Sequence, residues 1–408
     1  MRFTFIHAAD LHIDSPLAGL GLKDKAVAER FANAGRRAVE ALVAETIESK
    51  AAFLIVSGDV FDGDWKDVTT GLFFIRAISA LHRAGISVFM VKGNHDAESV
   101  MSRGLPYPET VHVFPFDKAA TIAVDAHRVV LHGRSFPSRL TGDFVATYPA
   151  RREGWLNIGV LHTSLDGTRG HEGYAPCTVD DLKRFGYDYW ALGHVHAAEI
   201  VSRDPWIVYP GNLQGRSVRE TGAKGAMRVT VEDGRIVEVV PLVLDSARWA
   251  HLTIDVANAA NEAAVIEQIS AELADAQAQG GGRPLAVRIT LVGATALHNQ
   301  LVARRELLQD DIRASGFRLS DDCWVEQLKV KTGLPQRSAA PLSQAESLNV
   351  DALLEEAAND PGFGADLAEL LEAMKAKLPK DLHDGLSDAD MLKTLTGDAR
   401  ALLAGESS

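Results

Sequence analysis

Phe53-Leu54-Ile55-Val56-Ser57-Gly58-Asp59 carries an apolar, β-prone run straight into a glycine and a carboxylate. The same arrangement recurs four more times. Phe3-Thr4-Phe5-Ile6 precedes Asp10-Leu11-His12, and Val88-Phe89-Met90-Val91 precedes Gly93-Asn94-His95-Asp96. Ile158-Gly159-Val160-Leu161 precedes His162, and Tyr189-Trp190-Ala191-Leu192 precedes Gly193-His194-Val195-His196. Loops that leave the ends of neighbouring strands converge on one spot, which is how α/β folds build sites. The blocks hold the metal-ligating side chains Asp10, His12, Asp59, Asn94, His162, His194 and His196. Their oxygen and nitrogen donors suit divalent ions such as Mn²⁺, Fe²⁺ or Zn²⁺, and no cysteine takes part. The pattern reads as a dinuclear metal site; unrelated loop histidines would need five coincidences in chain order.

Taken in order, D-x-H, G-D, G-N-H-D, H and G-H-x-H resemble the calcineurin-like metallophosphoesterase superfamily. The segments Phe5-Ile6-His7-Ala8-Ala9-Asp10-Leu11-His12 and Ser57-Gly58-Asp59-Val60-Phe61-Asp62 narrow the resemblance to the double-strand-break repair nucleases, the bacterial SbcD-like group. Within that group the chain is similar to YhaO-like DNA repair exonucleases. Tyr209-Pro210-Gly211-Asn212 and the stretch from Arg216 to Lys224 fit as well. The motif likeness covers about residues 1–240 and the remainder matches in organisation.

The resemblance implies two divalent ions, Mn²⁺ by family habit. Asp10, His12, Asp59 and His196 would surround one, and Asp59, Asn94, His162 and His194 the other, with Asp59 bridging. A bridge wants a carboxylate, because one oxygen can face each cation, and Asn94 adds a neutral donor without over-neutralising the pair. His95 would be catalytic, protonating or stabilising the leaving oxygen; the alternative is a third ligand for the second ion. Asp62 stands where many repair nucleases carry a histidine, while other members of the superfamily place there an aspartate that holds the catalytic histidine. Asp62 is therefore expected either to orient His95 or to cap its loop.

Expected substrate contacts are Arg169 and His171, in the polar, glycine-rich loop after His162, and Arg216; an ordinary solvated loop is the other reading of the first two. Arg134, Arg139, Arg151, Arg152, Arg219 and Lys224 are further basic candidates for phosphate contacts without base specificity. The net charge of −13 is concentrated at one end: from Pro341 onward, 14 acidic residues face five basic ones, so the preceding residues carry only −4. Acidity therefore does not exclude a nucleic-acid substrate. No run of about 18 apolar residues exists, and the opening residues lack a signal-peptide layout, so a cytoplasmic protein with no membrane partner is expected. Cys177 and Cys323 form no metal or redox motif.

The expected fold class is α/β: two packed β-sheets flanked by helices, a small α/β capping domain and a helical C-terminal tail. Boundaries fall at residues 1–246 for the catalytic domain, 247–333 for the capping domain, 334–345 for a linker and 346–408 for the tail. Helices are expected over about residues 25–49, 67–84, 262–277 and 297–315, with a hairpin at 227–240 turning on Asp233-Gly234. In the tail, Leu353, Leu354, Phe363, Leu367, Leu370, Leu371 and Met374 recur at three- and four-residue spacing. That stripe either folds back on the capping domain or, as the resemblance implies, docks the base of an SMC-like coiled-coil ATPase. Homodimerisation stays open.

The resemblance thus points to a Mn²⁺-dependent DNA exonuclease, with single-strand endonuclease activity, working with that ATPase. The rivals are a phosphodiesterase acting on nucleotides or other small phosphoesters, and a docking subunit whose partner supplies the activity.

Overall fold

Strands buried on both faces read as unbroken apolar runs, as Phe53–Val56 and Val88–Val91 do here, whereas the first strand carries Thr4 and a buried His7. The computed structural model describes residues 1–15, 31, 33–62, 68–98, 105–136, 144–165 and 177–335, with positions 356, 360, 363, 368 and 372 beyond them. It divides into two compact units, Met1–Ala250 with Gly280–Ala286, and His251–Gln279 with Val287–Ser408.

In the first unit β1 (Arg2–Ala8) leads towards α1 (Ala34–Glu48), then β2 (Phe53–Ser57), α2 (Val68–Arg83), β3 (Ser87–Val91), the short α3 (Asn94–Glu98) and β4 (Val111–Val113). There follow β5 (Ala120–Val124), β6 (Val129–Gly133), β7 (Leu156–His162), α4 (Val179–Arg184), β8 (Tyr189–Gly193), β9 (Glu199–Arg203), β10 (Trp206–Tyr209), β11 (Gly225–Glu232) and β12 (Arg235–Val243). One six-stranded sheet has the order β12-β11-β1-β2-β3-β4, the other β5-β6-β7-β8-β10-β9. Both are mixed. β1, β2, β3 and β4 run parallel while β11 and β12 are antiparallel, and β6, β7, β8 and β10 run parallel between antiparallel edges. Asp233 and Gly234 both have positive φ (47° and 77°) at the β11–β12 turn, as a two-residue hairpin of this hand requires.

Period-two alternation sends each strand into two cores. Phe5, Phe53, Ile55, Phe89 and Val91 face Ile158, Val160, Tyr189 and Ala191 of the other sheet. Their neighbours Ile6, Leu54, Val56, Val88 and Met90 pack with Ala38, Leu42, Phe74 and Ile78 of α1 and α2. Trp190 and Leu192 pack outward with Leu182 of α4 and Tyr148. The result is the expected layering of helix, sheet, sheet and helix, and parallel strands β1, β2, β3, β7 and β8 all end at one edge of it. Helix α2 stops where Gly85 takes φ 73°, the left-handed cap that its position suggests.

The second unit contains β13 (Arg248–Asp255), α5 (Glu262–Gln279), β14 (Leu285–Val292), α6 (His298–Ala303), α7 (Arg305–Leu319) and β15 (Cys323–Val330), with sheet order β13-β14-β15. Val265, Ile269 and Leu273 of α5 and Leu308 and Ile312 of α7 are buried on one face each. The single helix expected over residues 297–315 is two helices, because Arg304 leaves helical geometry (φ −100°, ψ 15°), where its guanidinium is held by Glu262 at 2.9 Å. The tail helices and nearly all of the linker lie outside the described residues, as does residue 171 with the rest of its loop. No helix among the described residues is long and apolar enough to cross a membrane.

Phe53 is fully buried and lies 5.0 Å, ring to ring, from Phe5 and 5.6 Å from Phe89. Phe53→Ala is expected to cost about 3–5 kcal/mol in urea unfolding. A loss under about 1 kcal/mol would mean that the inter-sheet layer is not a tightly packed core.

Candidate metal centre

Each ligand block begins where its strand ends, and the backbone there is forced into an uncommon shape. Asp10, His12, Asp59 and His194 all take positive φ (51°, 41°, 51° and 98°), a region that residues with a Cβ seldom occupy and that surrounding contacts must hold. Those contacts are visible. Asp10 N–H donates to Gly58 O (3.0 Å), His12 N–H to Asp59 O (3.1 Å) and Ile13 N–H to Val60 O (3.0 Å), so the β1 and β2 exits run on side by side. His194 N–H donates to both carboxylate oxygens of Asp10 at 3.1 and 3.0 Å. Glycine is required where these loops touch. A Cβ on Gly93 would sit 2.1 Å from Asp59 Oδ1, and one on Gly193 would sit 1.9 Å from Ser57 O.

Two groups of donors result. Asp10, His12 and His196 offer ligand atoms that all lie within 4.8 Å of one another, and so do Asp59, His162 and His194. Asn94 joins the second group, its Oδ1 3.0 Å from His162 Nε2. Asp59 stands between them, Oδ2 being 3.4 Å from His162 Nε2 and 3.9 Å from His12 Nε2.

The donor chemistry fits cations. His162 Nδ1 lies 2.9 Å from the Ser57 carbonyl, an acceptor only, so Nδ1 carries the proton and Nε2 keeps its lone pair. That lone pair faces Asn94 Oδ1 and Asp59 Oδ2. Likewise His196 Nδ1 donates to Glu220 Oε1 at 2.8 Å, which leaves its Nε2 facing His12 Nε2 at 3.1 Å. Acceptors aimed at acceptors in buried space need a positive centre between them, and a carboxylate or carbonyl behind each imidazole is the usual second layer of a metal site. Without metal a proton fills the place: burial disfavours charge on His162, yet the Asp59 carboxylate beside it lifts its pKa to about 9. His194 goes the other way, to about 3, through burial and the positive His162. Burial would raise Asp59, but His162, His12 and His95 together hold it well below the usual carboxylate range.

His95 belongs to neither group. It sits in the first turn of α3, with its backbone N–H on Asp59 Oδ1 (3.1 Å) and its side chain 40 % exposed. Asp62 Oδ1 is 3.4 Å from His95 Nδ1 and equally 3.4 Å from His12 Nδ1. Asp62 Oδ2 accepts from Ser15 Oγ at 2.5 Å. Against the effect of burial, His12, Ser15 and the Arg216 charge hold the Asp62 carboxyl well below its ordinary range. Asp62 thus touches a metal-group histidine as well as His95, a second contact that its position in the chain did not suggest.

Arg216 is brought to the site's edge, 3.6 Å from Asp62 and 3.3 Å from Glu220. Arg169, His171 and Arg139 lie outside the described residues. Other basic candidates are engaged locally: Lys224 donates to His196 O, Arg134 to Phe116 O with its guanidinium over Phe144, and Arg152 stacks on Trp155.

Two supporting residues escaped the sequence reading. Asp96 accepts from Val60, Phe61 and Gly93 N–H at 3.2, 2.9 and 3.1 Å and so pins the bridging loop to the α3 loop. Burial and the nearby Asp59 raise its pKa to about 6. Its signal was present in Gly93-Asn94-His95-Asp96, since an acid at that spacing can cap a helix start. Glu220 was an acid inside a basic stretch. His7, outside the ligand blocks, is fully buried beneath the site, where it meets Tyr189 Oη at 3.0 Å and Ser57 Oγ at 3.1 Å.

The chain is similar to several known proteins. Residues 3–198 match the calcineurin-like phosphoesterase family, and residues 249–333 match the middle domain of the metallophosphoesterase YhaO. The chain is 29% identical over 415 residues to a Bacillus subtilis protein described as the uncharacterized metallophosphoesterase YhaO, covering 98% of this chain and 97% of that one. It is 26% identical over 266 residues to the DNA double-strand break repair protein Mre11 of Methanopyrus kandleri, covering 57% of this chain and 55% of that one. A solved dimetal phosphatase from Danio rerio aligns with 58% of this chain and 98% of its own at 13% identity and a TM-score of 0.36.

The close approach at Gly93 makes a sharp test. Gly93→Ala should push the Asp59 carboxylate aside and weaken Mn²⁺ binding by about 10–100-fold, the scale on which ligand support acts. Calorimetric titration showing wild-type affinity would mean that Asp59 is not held where both groups need it.

Proposed function

We propose a function from one premise: the chain belongs to the calcineurin-like phosphoesterase family. It is a metal-binding hydrolase of phosphoesters, and its two donor groups suit the dinuclear divalent centre of that family. Our reading of the finer activity is a Mn²⁺-dependent DNA phosphodiesterase, an exonuclease with single-strand endonuclease activity. The match to a relative named as a DNA double-strand break repair protein supports the DNA substrate. The near-balanced charge of the residues before the tail is compatible with it.

Divalent cations in such a centre supply a strong nucleophile from water at neutral pH and offset charge on the phosphoryl oxygens. The protein's own residues do the rest. Asp10, His12, Asp59 and His196 would hold one ion and Asp59, Asn94, His162 and His194 the other. His95, exposed beside them, meets the leaving oxygen. A proton kept on Nδ1 by Asp62 leaves Nε2 as the atom that protonates or hydrogen-bonds the departing group. The same reading gives the tail stripe from Leu353 to Met374 to an SMC-like coiled-coil ATPase, because an apolar stripe at that spacing needs a surface to cover it.

The test is cleavage of linear duplex and single-stranded DNA with Mn²⁺, beside cyclic nucleotides. His95→Ala should lower kcat by about 10²–10⁴-fold while Mn²⁺ content after dialysis stays at the wild-type level. Hydrolysis of cyclic nucleotides with no DNA cleavage would overturn the nuclease reading. Loss of an ion from His95→Ala would make His95 a ligand.

A further inference from the structure

Glu220 and Arg216 have no place in the reaction described so far, yet each contacts a residue of the metal centre or its edge. Glu220 is a half-open carboxylate only in name: its side chain is 13 % exposed and it collects four hydrogen bonds. His196 Nδ1 donates to Oε1 at 2.8 Å and Arg216 Nη2 to the same oxygen at 3.3 Å. Asn212 Nδ2 donates to Oε2 at 3.0 Å and the Arg216 backbone N–H at 2.7 Å. The guanidinium of Arg216, 22 % exposed, reaches in the opposite direction as well. Its Nη1 lies 3.4 Å from Ser15 Oγ and 3.6 Å from Asp62 Oδ1. One planar fork therefore spans two carboxylates. One of them holds His196, and the other stands 3.4 Å from both His12 and His95.

We propose that Glu220 and Arg216 are a positioning pair: Glu220 keeps His196 in the tautomer whose Nε2 faces His12, and Arg216 ties Glu220 to Asp62 so that both sides of the centre are set together. A lysine could not do this, since a point charge on a flexible stem cannot bridge two acceptors with fixed angles. The pair also gives Arg216 a task distinct from gripping a phosphate, because each end of its fork already has an acceptor. The Asn212 amide and the backbone of the Arg216 turn hold Glu220 from behind, so the carboxylate does not depend on the metal for its place. The inference rests on the metal-centre reading above, and the experiment separates the two.

Mn²⁺ titration by calorimetry is run on the full chain, with metal-free thermal melts to show that each variant folds. Mn²⁺ should bind Glu220→Ala about 10–100-fold more weakly than wild type, the range for lost outer-shell partners, with Glu220→Gln in between because it keeps the acceptor oxygen and loses the charge. Arg216→Gln should weaken Mn²⁺ as well and lower kcat on DNA, with KM staying within about twofold. If wild type itself binds no Mn²⁺, the metal-centre reading fails. If wild type binds and Glu220→Ala binds as tightly, the positioning role of Glu220 fails. An Arg216→Gln protein with wild-type Mn²⁺ affinity, a raised KM and a salt slope of DNA binding smaller by about one would make Arg216 a phosphate contact and break the pair. Should Glu220→Ala not fold, Glu220→Gln and Arg216→Gln decide on the same titration.

Discussion

The carbonyl oxygen of Ser57 is the point at which the two sheets are fastened, and the metal centre depends on it. Ser57 ends β2 in one sheet, while His162 and Gly193 end β7 and β8 in the other. The carbonyl accepts from His162 Nδ1 and lies so near Gly193 that no side chain fits there. Directly beneath, His7 of β1 reaches across to Tyr189 and to Leu192 O, and Ser57 Oγ donates to Ala191 O. Buried polar groups must be paired, so this small network can be satisfied only with the strand ends in register. Hydrophobic packing brings the sheets together without direction. The polar contacts at their edge choose the alignment that puts donors from both sheets around one space.

That alignment has an electrostatic cost, which the surrounding charges distribute. Asp10, Asp59 and Asp62 are gathered in space with His12, His95, His162, His194 and His196, and the free energy of each depends on its neighbours. The positive φ angles of Asp10, His12, Asp59 and His194 add strain at the same places. Cores on both sides of each sheet supply the stability that keeps such a site from relaxing. The same reasoning explains why supporting groups are carboxylates and carbonyls: Glu220 behind His196, Ser57 O behind His162 and Asp62 beside His12 each hold a proton on the nitrogen that faces away from the centre.

Much of this was legible in the chain, for reasons that differ from one element to the next. β2 and β3 could be read because strands covered on both faces carry an unbroken apolar run, as Phe53-Leu54-Ile55-Val56 shows. The ligand blocks could be read because each follows its strand within a few residues. Glu220 could not. It meets His196 only because the bridge of Ala9 to Asn212 folds the following segment back over the β1 exit, a contact set by tertiary structure. Asp62 was expected beside His95, but its approach to His12 depends on the left-handed turn at His12, which no local pattern announces. The break at Arg304 was hidden for a similar reason, since Leu301 and Leu308 lie seven residues apart and suit one continuous helix as well as two.

A DNA-cleaving reading has to explain how an acidic chain holds a polyanion at a centre lined with carboxylates. Arg216 is the one arginine described at the centre's edge, and its charge is already met by Glu220 and Asp62. Arg216 therefore offers little free positive charge to a phosphate at the site. Two divalent ions do the opposite: they bring +4 to a space whose own carboxylates, Asp10 and Asp59, supply −2. On this arithmetic the centre changes sign when loaded, from repelling a phosphodiester to attracting it. Substrate binding and metal binding would then be one linked equilibrium, and DNA would be held at the reacting bond by the ions and elsewhere by surfaces that make no demand on sequence.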